Sequence, residues 1–373
     1  MSKQYIICKR CVMDTSDPDI TFNEEGVCNH CTHYDKQISQ LPIGKDAEEK
    51  LNQLVQKIKE DGKSNDYDCI IGLSGGVDST YVAYLVKEKL GLRPLAVHLD
   101  NGWNSELSVV NMENIVKKLN IDLYTHVIDW EEFKDIQLSF LKASTPDSEV
   151  PSDHAIFSVL RQISKKHGVK YVINGINIKT ESHHALSWSQ GHSDFGYIKS
   201  VQKKFGTKKI KTFPHGNRLT IIEDIFSNKW VNILNYIDYD KNSAKKLITE
   251  RLSWRDYGGK HYESIYTKFF QGYILPQKFG YDKRKMHLSS LICAGAMNRA
   301  DALKELECPP YPVQEQLDDK EYLIKKFKIT PEEFEEIMSR PAKTYYDYPS
   351  YYGKILKSRF LPKIKKIVKA FYR

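Results

Sequence analysis

The stretch Asp68-Cys69-Ile70-Ile71-Gly72-Leu73-Ser74-Gly75-Gly76-Val77-Asp78-Ser79 decides how this chain is read. Its first six residues form a short, mostly apolar run ending in a turn signal, the pattern of a buried strand. Helical periodicity takes over from Thr80 to Leu90 and stops at Gly91, as a helix C-terminus should. Between strand and helix, adjacent glycines let the backbone curl with its N–H groups turned inward, a concave anion site at a helix N-terminus. Ser74 and Ser79 add hydroxyl donors. An acid beside phosphates requires a cation between them, so Asp78 is a candidate magnesium ligand. The loop lacks the lysine of G-x4-G-K-[ST] and does not fit G-x-G-x-x-G. The plain alternative is a Gly-Gly turn with a serine cap.

The same alternation continues outward. Leu95–Leu99 and Leu123–Ile128 read as strands and Ser105–Leu119 as a helix. Phe157–His167 and Tyr171–Ile173 add another helix and strand, and Leu51, Leu54, Val55 and Ile58 stripe a helix over 46–62. Strands alternating with helices of about 10–15 residues predict βαβ units and a parallel sheet. Ligands of such sheets bind beyond the carboxyl ends of the strands, where 74–79, Asp100 and Asn174-Gly175 all fall. Asp100-Asn101-Gly102 is also a turn former in its own right. Past about residue 215 the alternation gives way to helical stretches rich in Tyr and Phe, with a capping box at Thr330-Pro331-Glu332-Glu333.

Before the first strand, Cys8, Cys11, Cys28 and Cys31 make two C-x2-C knuckles sixteen residues apart. Each knuckle turns two thiolates toward one ion, and two knuckles complete a tetrahedral, closed zinc site whose job is stability or docking. Iron–sulfur spacings differ. His30 and His33 are expected outside the ligand set. Seven cysteines, an odd number, argue against a disulfide framework.

Bulk properties narrow the function. The chain has 373 residues, 40% hydrophobic and 28% charged, and no apolar run long enough for a transmembrane helix. MSKQYIICKRC offers no apolar leader, so a cytoplasmic location is expected. The net charge of +8 is matched by eight basic and no acidic residues in 353–373, so the body is not broadly basic and no nucleic-acid partner is expected. In that tail Phe360, Leu361, Ile364, Ile367, Val368 and Phe371 share one helical face, which suits either contact with an anionic membrane surface or packing on the body.

SGGVDS directly after an apolar strand resembles the pyrophosphate loop of the PP-loop ATP-pyrophosphatases. Together with the strand–helix alternation and the cysteine knuckles, that resemblance gives the expected fold as α/β: a parallel-sheet nucleotide-binding core, adenine nucleotide alpha hydrolase-like, with an N-terminal zinc ribbon and a mostly helical C-terminal region. It implies that Ser74, Gly75, Gly76, Val77, Asp78 and Ser79 hold ATP phosphates with Mg2+, and that Asp100, Asn174 and Gly175 line the nucleotide. The expected divisions are a leader over 1–45, the ATP-pyrophosphatase domain over 46–215, a substrate region over 216–352 and the tail over 353–373.

CKRCVMDTSDPDITFNEEGVCNHC (8–31), GLSGGVDST (72–80) and KHYESIYTKFFQGYILPQKFGYDKRKMHLSSLICAGAMNRADAL (260–303) together resemble the N-acetyl sugar amidotransferases of surface-polysaccharide and flagellar-glycan pathways. The implied reaction turns a sugar acetamido group into an acetamidino group. ATP adenylates the amide oxygen, and ammonia then expels AMP. The implied cofactors are ATP, Mg2+ and Zn2+, and the implied partners are glutaminase and cyclase-like subunits related to imidazole glycerol phosphate synthase. An absent glutaminase cysteine agrees with such partners. Substrates of this class include a UDP-linked diacetamido uronic acid and a pseudaminic-type nonulosonic acid. Lys283 and Arg284, with Lys285 and Arg299, are candidates to neutralise phosphate, although DKRK is also an ordinary solvated run. Glu181, with His183 and His184, is a candidate for metal binding or proton transfer, and Glu263 for ordering ammonium. The six lysines of 199–211 read as a solvated loop rather than a lid. A tRNA thiolase or lysidine synthetase is the alternative enzyme, but no C-x2-C follows the loop. A silent zinc-ribbon scaffold is the alternative without catalysis.

Overall fold

The computed structural model describes residues 4–216 and 229–351; the amphipathic tail over 353–373 lies outside the described residues. Five strands form one parallel sheet: β1 Cys69–Gly72, β2 Pro94–Asp100, β3 Asp122–Val127, β4 Tyr171–Asn174 and β5 Lys229–Asn232. Their order is β3-β2-β1-β4-β5. The chain therefore winds outward from β1 to one edge and then returns to build the other. The crevice at this reversal lies between the carboxyl ends of β1 and β4.

Successive strand residues point to opposite faces, and the core divides accordingly. Ile70, Leu95, Val97, Leu99 and Val172 join one apolar cluster; Cys69, Ile71, Ala96, Tyr171 and Ile173 join the other. The second cluster is covered by α2 (Gly44–Gly62), α3 (Val77–Tyr84) and α4 (Glu106–Leu119). The first is covered by α5 (Trp130–Ala143), α6 (Val150–Lys166) and α8 (Phe195–Phe205), while α7 (Ile178–Glu181) is one short turn after β4. The leader's helix, α1 (Asn29–Ile38), begins at the second knuckle.

Two expectations need correction here. The sheet does not end by residue 215: β5 lies beyond it, and α9 (Lys241–Leu252) packs against α3 through Ala244, Ile248 and Leu252. β5 is only four residues, Lys-Trp-Val-Asn, with one buried side chain, too short and polar to show as an apolar run. Nor is the helical region a body apart. Tyr266, Phe269, Phe270, Leu323, Phe327, Phe334 and Ile337 belong to the same cluster as the sheet residues Val97 and Val172. These come from α10 (Ile265–Phe269), the wide-turned helix over 270–279, α13 (Val313–Phe327) and α14 (Pro331–Ser339). Between them run α11 (Arg284–Cys293) and α12 (Arg299–Glu307). The capping box at Thr330 and Glu333 is present.

The leader packs inward as well. Ala185, Trp188, Met286 and Cys293 pack around its four cysteines. The lysine-rich segment after α8 is no lid: Asp135 accepts from the Thr207 and Lys208 amides, and Glu132 from those of Lys211, Thr212 and Phe213.

Candidate active site and sulfur cluster

The Ser74–Ser79 loop is shaped by two glycines with different duties. Gly75 has φ +79°, and a Cβ there would sit 2.6 Å from the Ser108 carbonyl oxygen on α4, so the position admits only glycine. Gly76 precedes α3 in extended conformation, and no side chain caps that helix, which leaves first-turn N–H groups for an anion. The Ser74 and Ser79 hydroxyls lie 3.1 Å apart, and Trp254 Nε1 pins the loop by donating to the Gly75 carbonyl (2.8 Å). Gly175, at the end of β4, touches Asp78: a Cβ there would be 3.0 Å from Asp78 Cβ. The crevice thus brings the loop and Asn174-Gly175 together, as the strand ends required.

Charged groups from distant sequence surround the loop. The Tyr239 hydroxyl donates a very short hydrogen bond to Asp78 Oδ1, and Lys241 Nζ lies 3.8 Å from Asp78 Oδ2. Lys260 donates to Glu181 Oε1 at 3.0 Å. Glu263 stands against Gly76, with its Oε2 buried and unpartnered. Burial lowers the Lys241 pKa, and the neighbouring Asp78 carboxylate opposes that shift. Burial raises Glu181, but Lys260 outweighs it and leaves the carboxyl below its usual value. Burial likewise raises Glu263, and His261 more than compensates. Glu181 and Glu263 are therefore held as carboxylates near Lys241. One carboxylate beside a phosphate cradle is a donor set that suits magnesium, which takes much of its shell from phosphate oxygen and water.

Asp100 serves the turn that follows β2, with Oδ1 accepting from the Gly102 amide (2.9 Å) and Asn104 Nδ2 (3.3 Å). Asn174 Oδ1 does the same for the Ile176 amide. His98 braces this rim. Its Nδ1 donates to the Leu73 carbonyl (2.9 Å), Asn104 lies 3.0 Å from Nε2, and burial keeps the ring neutral.

The basic run near α11 does not act together. Lys283 faces Glu149 at 3.9 Å and belongs to a second polar cluster with Asp147, Asp153 and His192. Arg284 binds Asp282 and donates to the Glu305 and Cys308 carbonyls. Lys285 pairs with Asp14, and Arg299 donates to the Cys8 and Cys11 carbonyls, both at 2.9 Å. Consecutive residues on a helix diverge by about 100°, so adjacent cations scatter. Arg284 and Arg299 accordingly hold structure rather than presenting a phosphate clamp.

In the second cluster, the Ser189 hydroxyl and His192 Nε2 both donate to Asp147 Oδ2, at 2.5 and 3.0 Å. Asp147 lines a recess with Thr145, Trp188 and Tyr197, and Trp188 Nε1 is buried without a partner. Burial disfavours the His192 cation, yet Asp147 and Asp153 raise its pKa to about 9. Sequence reasoning named only Lys283 of this cluster and missed Asp147, Asp153, Ser189 and His192, and also Tyr239, Lys241 and Lys260. No spacing links these residues to the loop.

The four leader cysteines are wholly buried, with sulfur separations of 3.9 Å (Cys8–Cys31), 3.7 Å (Cys11–Cys28) and 3.8 Å (Cys28–Cys31). A tetrahedron with zinc–sulfur bonds of about 2.3 Å has edges of about 3.8 Å, so these residues fit the ion. Amides of Arg10 and Met13 donate to Cys8 and Cys11 sulfurs, as knuckle backbones do. His30 is not among the four; its Nε2 contacts Asp17 at 2.7 Å.

With this geometry in hand, residues 47–150 match the family model of NAD synthase, and residues 263–364 match that of the LPS biosynthesis protein WbpG-like, C-terminal domain. The first match covers the segment that carries Ser74–Ser79 together with the first three strands. An uncharacterized protein of Methanocaldococcus jannaschii is 25% identical over 82% of this chain and 94% of its own length. A tRNA-specific 2-thiouridylase of Mesomycoplasma hyopneumoniae is 29% identical over 40% of this chain and 46% of its own. This chain thus spans less than half of the thiouridylase. An NH3-dependent NAD synthetase structure from Campylobacter jejuni aligns with 18% identity and a TM-score of 0.29, covering 56% of this chain and 94% of that one. Among the described residues, no helix is long and apolar enough to cross a membrane.

Proposed function

We propose that the protein is an ATP-dependent amidotransferase that converts a sugar N-acetyl group to an acetamidino group. One observation carries the reading: Glu263, the first residue of the WbpG-like match, stands against Gly76 of the phosphate loop. The segment akin to a lipopolysaccharide-biosynthesis domain therefore contributes directly to a nucleotide site.

In the proposed reaction the loop grips the β and γ phosphates, and the acetamido oxygen attacks the α phosphorus. Pyrophosphate leaves, and an O-adenylyl imidate remains. Ammonia then adds to the imidate carbon, and AMP departs with the former amide oxygen. Adenylation is needed because an amide oxygen leaves poorly and AMP leaves readily. Glu263 and Glu181, both held as carboxylates, are placed to orient ammonium and accept its protons. Lys241 is placed to balance negative charge on the phosphates beside Asp78. Magnesium held by Asp78 would supply further charge neutralisation on the phosphate oxygens. The polar cluster of Asp147, Ser189 and His192, with Lys283 beside it, is the candidate contact for polar groups of the sugar.

Ammonia would come from a separate glutaminase through a cyclase-like subunit, and the cytoplasm would be the site of the reaction. The tRNA-thiolase reading is less favoured. Cys69 is buried in β1, Cys293 abuts the sulfur cluster, and Cys308 closes α12, with its carbonyl accepting from Arg284. The test supplies the chain with ATP, an acetamido nucleotide-sugar and either ammonium or glutamine. AMP formation that depends on the sugar, with ammonium and not with glutamine alone, is expected. Release of ADP as the coupled product would refute the proposal.

A further inference from the structure

Beside the four-cysteine cluster lies a second triangle of ligand atoms. Cys31 Sγ and His183 Nε2 are 3.9 Å apart, Cys293 Sγ and His183 Nε2 3.8 Å, and Cys293 and Cys31 sulfurs 3.7 Å. We propose that Cys31, His183 and Cys293 hold a second metal ion, a zinc-class cation joined to the first through the Cys31 thiolate. The corners of a triangle with edges near 3.8 Å lie about 2.2 Å from its centre. An ion with zinc–sulfur bonds of about 2.3 Å would sit just off that plane, with its fourth position open.

The histidine is oriented for this task by groups independent of the sulfurs. Its Nδ1 faces the buried hydroxyls of Ser182 (3.1 Å) and Ser290 (3.2 Å). Ser290 commits its own proton to the Met286 carbonyl (3.0 Å), so it accepts from Nδ1–H. That arrangement fixes the tautomer whose free lone pair is on Nε2, pointing at two sulfurs. Metal-binding histidines are held in this way by a hydrogen bond on the other ring nitrogen.

Five cysteine sulfurs converge here, those of Cys8, Cys11, Cys28, Cys31 and Cys293, one more than a single tetrahedral ion can bind. The three ligands also come from three segments: the leader, the loop after β4 and α11. The second ion would therefore fasten the leader and α11 to the short stretch that carries Glu181 and His184.

Zinc per chain, measured by elemental analysis and native mass spectrometry on the full chain under saturating zinc, tests this directly. The wild type should hold two ions. His183→Asn and Cys293→Ser should each hold one, retained by the four-cysteine site. Because Cys293→Ser could loosen α11, His183→Asn is the deciding variant. Cobalt substitution should show two binding phases in the wild type and one in His183→Asn. A single ion in the saturated wild type, or two ions persisting in His183→Asn, overturns the proposal.

Discussion

The sulfur cluster at Cys8–Cys31 and the glycine loop at Ser74–Ser79 are both short motifs of regular spacing, yet the fold treats them in opposite ways. Every thiol of the first is sealed, with Arg299 bound to the Cys8 and Cys11 carbonyls and Trp188 packed alongside. The second keeps Ser74 exposed and Asp78 half-buried, and it borrows Tyr239, Lys241, Lys260 and Glu263 from far along the chain. A closed metal site can be specified by local spacing because all its ligands are local. A site that must admit a ligand is completed by whatever the fold brings to its rim.

The largest effect expected from this contrast is on the closed site. Replacing Cys11 and Cys28 together with Ser should abolish zinc at that site and lower the Tm by many degrees. Structural zinc binding contributes on the order of 10 kcal/mol to the folding of small zinc domains. Elemental analysis and calorimetry would show it. Full zinc occupancy in the double variant would mean that the cysteines are not the ligands.

The open site should respond in the opposite sense. Asp78→Asn should leave the Tm nearly unchanged, since the amide keeps a hydrogen bond with Tyr239, yet reduce kcat by roughly 100-fold or more. Weakened charge stabilisation of a phosphoryl transition state costs about 3 kcal/mol or more. Unfolding without a specific loss of turnover would make Asp78 a structural residue and erase the contrast.

A smaller effect belongs to His192, raised to about 9 by Asp147 against the opposing pull of burial. Its folded pKa exceeds its ordinary 6.5, so its stabilising contribution is complete below about pH 6.5 and fades as pH rises through 9. The stability difference between wild type and His192→Gln should therefore shrink by roughly 3 kcal/mol across that window. Denaturant unfolding at several pH values would measure it, and a pH-independent difference would show that the ion pair does not form.

What was legible in the sequence follows the same line. Parallel βαβ order, the Gly-Gly loop after an apolar strand and the four-cysteine pattern were all visible because each is local. α6 starts at Val150-Pro151, where proline at the first turn was an unused signal, rather than near Phe157. β5 escaped because four mixed residues carry no periodicity. Lys283 and Arg284 looked alike as neighbours, but helix geometry sent one to Glu149 and the other to Asp282. Glu181, His183 and His184 read as one weak cluster, yet Glu181 pairs with Lys260 while His183 meets the Cys31 sulfur.

In the proposed reaction ATP is cleaved between its α and β phosphates by attack of a substrate amide oxygen. The most direct measurement uses an acetamido sugar carrying heavy oxygen in its amide group, with ATP and ammonium, and follows the label by mass spectrometry. The label is expected in AMP, one atom per acetamidino product, with unlabelled pyrophosphate released. Label in inorganic phosphate beside ADP, or in water with AMP unlabelled, would contradict it.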